Sequence, residues 1–256
     1  VSAFVYGAIL AAVVAALAWR ARSLSPSGAV AAFAVGTIVF GWKGWPGAAV
    51  LFAFFIPSAM LSRVGKTRKR AMLDVGKQGA RDAWQVLANG GVAAACALPY
   101  GDTYASLFAA AFAGAFAAAA ADTWGTEIGT LVRSAPRSIL TLRPIATGMS
   151  GGITAGGTAA TVAGAAFVGA VAAATHVAAF VPVVVGGVAG ALLDSVLGAS
   201  LQALRWCPSC AVTCETNPHR CGTPTSVRRG LGWLENDAVN LAATLAGAVV
   251  AGVLAR

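Results

Sequence analysis

Charge is what this chain has least of. Only 11% of its 256 residues are Asp, Glu, Lys or Arg, and 58% are hydrophobic, whereas soluble domains carry about 25% charged residues. An ordinary soluble domain is excluded, and an all-α, polytopic integral membrane helix bundle is expected. Histidine is nearly missing, with two in the chain, so imidazole-based acid–base or nucleophile pairs are not expected. The glycine-rich stretch 141–158 holds no Gly-Lys-Ser/Thr, so it is not a Walker-type phosphate loop. A cleavable leader is not expected either. The opening "VSAFVYGAILAAVVAALAW" is long enough to persist as a span, and no small-residue cleavage site follows it.

What is there is alanine, glycine and valine in long runs. Small residues let helices approach closely where lipid offers no hydrophobic drive between them. A hydrocarbon core of roughly 30 Å needs about 20 residues per helix. Eight spans are expected, at about 3–19, 25–41, 46–61, 82–98, 104–121, 152–174, 177–200 and 237–254, in one transmembrane domain covering 1–256. The count has a range of six to eight, because the second and third segments are short and share the turn "GWKGWPG". Trp42 and Trp45 in that turn suit a membrane interface. Sixteen of the eighteen Lys and Arg fall in alternate loops, leaving Lys43 and Arg256 on the other side. The positive-inside rule then makes loops 62–81, 122–151 and 201–236 cytoplasmic and both termini external, in a multi-pass inner cell membrane protein. The basic run "SRVGKTRKR" has no interleaved aromatic. It reads as a topogenic, anionic-lipid-binding loop rather than a nucleic-acid site.

Acids cluster on that same face. "ADTWGTEIG" places Asp122 and Glu127 at the end of the most apolar segment. Acids at membrane depth are costly and default to function. Five residues apart on one helix they differ by about 140°, so they converge only if Gly125 breaks the helix or a ligand lies between them. In the seventh span Gly187, Gly190, Asp194 and Gly198 fall on one line, putting Asp194 on a close-packing stripe. Asp82, Gln85 and Asn89 share a face in the fourth span. Asn236 and Asn240 share one in the last, with Asp237 beside them. Ser150, Gly151 and Gly152 are expected to open the sixth span, where free N–H groups would bind an anion, with Arg133, Arg137 and Arg143 upstream. "CPSCAVTCETNPHRCG" offers Cys207, Cys210 and Cys221, with either His219 or Cys214 as fourth ligand, to a structural zinc ion on a cytoplasmic loop.

Five stretches in order, "RDAWQVLANGG", "ADTWGTEIG", "RPIATGMSGGIT", "LLDSVLGASLQ" and "WLENDAVNLAAT", resemble the phytyl-phosphate kinase family of plants and cyanobacteria. Polytopic transmembrane proteins of prokaryotes and animals belong to it too. The resemblance runs from about residue 60 to the C-terminus. It implies transfer of a phosphoryl group from a nucleoside triphosphate, CTP preferred, to an isoprenoid monophosphate such as phytyl or geranylgeranyl phosphate. In that reading Asp122, Glu127 and Asp194, with Asp237 as a further ligand, hold Mg²⁺ on the nucleotide phosphates. Backbone N–H groups of Ser150, Gly151 and Gly152 meet a phosphate, Arg143 offsets its charge, and Asn89, Asn236 and Asn240 orient these groups. The expected partners are nucleotide, isoprenoid lipid and membrane lipids but no nucleic acid; an oligomer is compatible with all of this. Two other classes use the same ingredients: a transporter or flippase of a lipid phosphate or small anion, and a cytidylyltransferase forming a CDP-lipid.

Overall fold

The computed structural model describes residues 2–65, 79–132 and 134–256. Most of the basic run, with Asp74, Lys77 and Arg133, lies outside the described residues. Among the described residues the chain forms seven α-helices: α1 (Ser2–Arg20), α2 (Pro26–Leu61), α3 (Ala83–Cys96), α4 (Ala105–Leu131), α5 (Ala155–Ala174), α6 (Phe180–Ser200) and α7 (Asn236–Leu254). Among the described residues, six helices are long and apolar enough to cross a membrane. All eight expected spans are helical. The second and third are joined in one element, α2, and the fourth, α3, runs toward the turn before α4 with 14 residues, fewer than the roughly 20 of a full-length span.

Helix α2 is nonetheless folded back on itself. Ser25 caps its start, its Oγ accepting from Gly28 N at 3.1 Å, and Pro26 follows with its φ preset for the first turn. A straight helix of 36 residues would be about 54 Å long. Yet Arg63 Nη2, just past its end, donates to Ser23 Oγ, just before its start, at 2.7 Å. The two arms therefore run antiparallel. The reversal falls at Gly44, whose φ of 59° and ψ of −152° suit a residue without Cβ. Trp42 and Trp45 flank it, packed edge-on against Phe4 and Phe40 with ring centroids 5.2 and 4.8 Å apart.

Helix α4 is the axis of the bundle and touches α2, α3, α5, α6 and α7. Every residue from Ala110 to Ala121 is buried, as befits a helix apolar on all sides. Its two large side chains there, Phe112 and Phe116, form an aromatic core with Phe54. At its glycine contacts the helices come closer. A Cβ on Gly114 would strike Ala251 and the Gly247 carbonyl, and one on Gly187 would strike Ala117 and Ala165. Close approach of this kind is how small-residue stripes hold membrane helices together.

The polar segments carry short strands that the composition did not announce. β1 (Arg137–Ser138) pairs antiparallel with β2 (Gly152–Ile153). β3 (Leu204–Cys207) lies between β4 (Val212–Cys214) and β5 (Ser226–Arg229), antiparallel to both. These two sheets sit at the end of the bundle where α4 and α6 finish and α5 and α7 begin.

Candidate functional site

At that end lies a cavity of about 320 Å³. Asp122, Glu127, Asp194, Asn89, Asn236 and Asn240 all line it, as do Ser150, Gly151 and Gly152. Residues from α3, α4, α6 and α7 thus meet in one place. Helix α4 runs through Gly125 without a break, so the break considered for convergence is not how the acids meet. Lining positions on α4 run from Asp122 to Thr130 and cover an arc of roughly 200° at 100° per residue. The cavity wraps the helix end and reaches both carboxylates. Gly125 serves the packing instead: a Cβ there would overlap Thr161 Oγ1 on α5.

The Asp122 and Asp194 carboxyls lie within hydrogen-bond reach of each other, with Glu127 near enough to Asp122 to repel it. Asp194 Oδ2 is buried and finds no donor among the described residues. Clustered acids with a buried oxygen left over fit a divalent cation, which binds carboxylates of this kind at phosphate-handling sites. The stripe expected on α6 is present: Gly190 abuts Ala243 and Ala118, and Gly198 abuts Ser150, which fixes Asp194 toward the bundle interior.

Three expectations change. Ser150, Gly151 and Gly152 do not open a helix; α5 begins at Ala155, capped by Thr154 Oγ1 accepting from Gly157 N at 3.0 Å. Two of the three N–H groups offered to an anion are already engaged. Ser150 N donates to Glu215 Oε1 at 3.1 Å and Gly152 N to Met149 O at 3.2 Å. Arg143 is exposed and, like Asp237, is absent from the cavity wall. Asp82 is a helix cap, exchanging bonds of 3.0 and 3.1 Å with Gln85 in a capping box.

Two residues belong to the site whose roles the sequence did not assign. Arg81 lines the cavity, donates to Ser62 Oγ at 3.2 Å and faces Glu127. Burial pushes its guanidinium down and the Glu127 charge opposes this. It stands first in the stretch "RDAWQVLANGG", where sequence alone counts it among the topogenic charges of loop 62–81. Glu215 is buried at 7% exposure. It accepts from Ser150 N, from Ser150 Oγ at 2.7 Å and from Gln202 Nε2 at 2.9 Å. Burial pushes its carboxyl up, and the Ser150 bonds pull the other way.

Arg81, Gln85 and Asn89 also line a second, apolar cavity of about 90 Å³ between α1, α2 and α3. Its other walls include Leu10, Val14, Val35, Phe52 and Phe55. A polar chamber and an apolar one therefore share a wall that carries a cation and two carboxamides.

The cysteine segment folds around β3, β4 and the turn after them. Cys207, Cys210, His219 and Cys221 bring one ligand atom each to within 4.8 Å of the others. Cys207 and Cys221 sulfurs are 3.5 Å apart, and His219 Nδ1 is 3.1 Å from Cys221 Sγ. Hydrogen bonding with Thr223 and then His219 draws the Cys221 thiol down to about 5, while the bond between Cys210 and Cys221 pushes Cys210 up to about 11. Of the two residues open for the fourth place, His219 joins the cluster and Cys214 does not.

The fold and cavity define a multi-pass membrane helix bundle with a carboxylate-rich chamber at one end. The family model described as "Integral membrane protein DUF92" matches residues 9–248, and the chain belongs to that family. It is also 35% identical over 91 residues to "Protein PGR" of Arabidopsis thaliana. That match covers 35% of this chain and 31% of the plant protein, so the chain spans about a third of its relative's length. No solved structure matches.

Proposed function

We propose that this protein is a membrane-embedded, Mg²⁺-dependent phosphotransferase that moves a phosphoryl group from a nucleoside triphosphate to an isoprenoid monophosphate. The observation that carries the reading is the shared wall. A carboxylate chamber suited to a cation and phosphates meets an apolar chamber suited to a hydrocarbon chain, and Arg81, Gln85 and Asn89 stand between them. An amphiphile with a phosphate head matches that sequence of surfaces. The resemblance to phytyl-phosphate kinases supplies the choice of phytyl or geranylgeranyl phosphate and of CTP.

In this reading Asp122, Glu127 and Asp194 hold Mg²⁺, which when bound neutralises phosphate charge as phosphoryl transfer requires. Arg81 pairs with the lipid phosphate at the chamber boundary and Asn89 and Gln85 orient it. Asn236 and Asn240 donate to phosphate oxygens from α7, which packs against α3 through the Thr244–Ala88 bond. The attacking phosphate oxygen is already anionic, so no general base is needed, in keeping with a chamber that no histidine lines. By the positive-inside rule the chamber opens to the cytoplasm, where nucleotide is found. A transporter reading is less supported, because transporter sites sit near the bilayer midplane in broken helices, whereas α4 and α6 are unbroken and their acids lie near one end.

The test is product analysis with purified protein in lipid nanodiscs, Mg²⁺, CTP and geranylgeranyl monophosphate. Release of CDP with formation of the isoprenoid diphosphate is expected. Pyrophosphate release instead would make the protein a cytidylyltransferase. No nucleotide turnover with any isoprenoid phosphate would remove the enzyme reading.

A further inference from the structure

The cysteine segment has no part in that chemistry, yet it is built as a site. Its four ligand atoms come from two turns. Cys207 ends β3 and Cys210 lies in the β3–β4 turn, which Ala211 closes with a φ of 52°. His219 and Cys221 lie in a second turn, closed by Gly222 N donating to His219 O at 2.8 Å and by His219 N donating to Thr223 O at 3.0 Å. Ligand bonds of about 2.3 Å to sulfur and 2.0–2.1 Å to nitrogen imply tetrahedral edges of about 3.5–3.8 Å. The observed 3.1 and 3.5 Å separations are already on that scale. All five cysteines are free thiols, and soft thiolate with imidazole selects zinc over the hard cations that suit the carboxylate chamber.

The surrounding segment has a three-stranded sheet and an Arg205–Glu235 ion pair but little apolar core of its own. β5 is exposed at every position, and the buried residues of this unit are few: Ala203, Cys207, Cys214 and Leu234 beside the polar Gln202, Arg205, Glu215 and His219. So small a unit needs a staple where a hydrophobic core is missing.

We infer that Cys207, Cys210, His219 and Cys221 bind one structural zinc ion, and that this zinc module holds Glu215 in place against Ser150, the glycine loop bordering the large cavity. Glu215 follows Cys214 at the end of β4, between the two ligand turns. It reaches 65 residues back along the chain to both the N–H and the hydroxyl of Ser150. Gln202 Nε2 closes the triangle at 3.1 Å from Ser150 Oγ and 2.9 Å from Glu215. The metal thus acts on the cavity through a positioning residue and makes no contact with what the cavity holds. Neither part of the inference needs the phosphotransferase reading to be true.

The experiment uses the full chain purified in nanodiscs under reducing, chelator-free conditions. Elemental analysis should find about one zinc per chain, lost in Cys210→Ser and kept in Cys214→Ser. Less than about a tenth of an equivalent in the wild type, or equal loss in both variants, overturns the site. Hydrogen exchange of the segment 147–152 then tests the coupling. Stripping zinc with a chelator should raise exchange at Ser150 at least about 10-fold, and Glu215→Ala should do the same while keeping its zinc. Unchanged exchange in the stripped protein overturns the coupling and leaves the metal site to stand on its own count.

Discussion

Asp122, Glu127 and Asp194 carry the reading at the scale of single residues, because like charges so close together persist only with a counter-ion or a shared proton. Asp122→Asn keeps the shape and removes the charge. Losing a metal ligand commonly removes several kcal/mol of transition-state stabilisation, and each 1.36 kcal/mol is about tenfold in rate. Phosphoryl transfer should fall at least about 100-fold in Asp122→Asn and in Glu127→Gln, in protein that still elutes as the folded species. Asp102→Asn, at the exposed far end before α4, should be near neutral, and a reversed pattern in the same assay would place the chemistry elsewhere. Arg81 separates binding from chemistry. A hydrogen bond to a charged group is worth about 1.5–3 kcal/mol, so Arg81→Gln should raise KM for the lipid phosphate roughly 10- to 100-fold. Arg81→Lys keeps the cation and should recover part of that loss. The recovery would be absent if Arg81 served only to tie Ser62 in place.

Elements show how much could be read beforehand and where reading stopped. The stripe Gly187, Gly190, Asp194 and Gly198 was legible because helical spacing alone puts these residues on one face, and small residues in lipid have one main use. The convergence of Asp122, Glu127, Asp194, Asn89, Asn236 and Asn240 was legible for a related reason: costly groups at matching depth share a chamber. Glu215 was not, because its partner Ser150 is 65 residues away and no local period links them. Arg143 was misplaced because charge near a glycine loop says nothing of which way a β1–β2 hairpin turns it. The packing stripe makes its own prediction. A Cβ on Gly190 would overlap the Ala243 carbonyl and Ala118, whereas one on Gly91 would meet Leu87 at an ordinary 3.8 Å. Overpacking costs typically about 1–3 kcal/mol. Gly190→Ala should therefore lower the melting temperature in detergent by several degrees, while Gly91→Ala should leave it level or slightly raised, helix propensity favouring alanine.

On the scale of the whole molecule, the arrangement is polarised. The large cavity, both small sheets and the cysteine cluster share one end, and Ala105, where α4 starts, lies roughly 25 Å along the helix from Asp122 at 1.5 Å per residue. By sequence, sixteen of the eighteen basic residues fall in the loops expected to be cytoplasmic, and the described parts of those loops lie at the cavity end, so that end should face the cytoplasm. Two exposed positions mark the two ends: Asp102 in the short helical turn before α4, and Ser226 on β5. In intact cells a membrane-impermeant maleimide should label Asp102→Cys and spare Ser226→Cys. Opening the membrane should let Ser226→Cys react, with labelled peptides mapped by mass spectrometry to separate position 226 from the native cysteines. The wild-type chain gives the background for each. Labelling at 226 from outside, with 102 protected, would invert the orientation. The carboxylate chamber would then open away from the nucleotide pool, and a kinase drawing on cytoplasmic CTP could not use it.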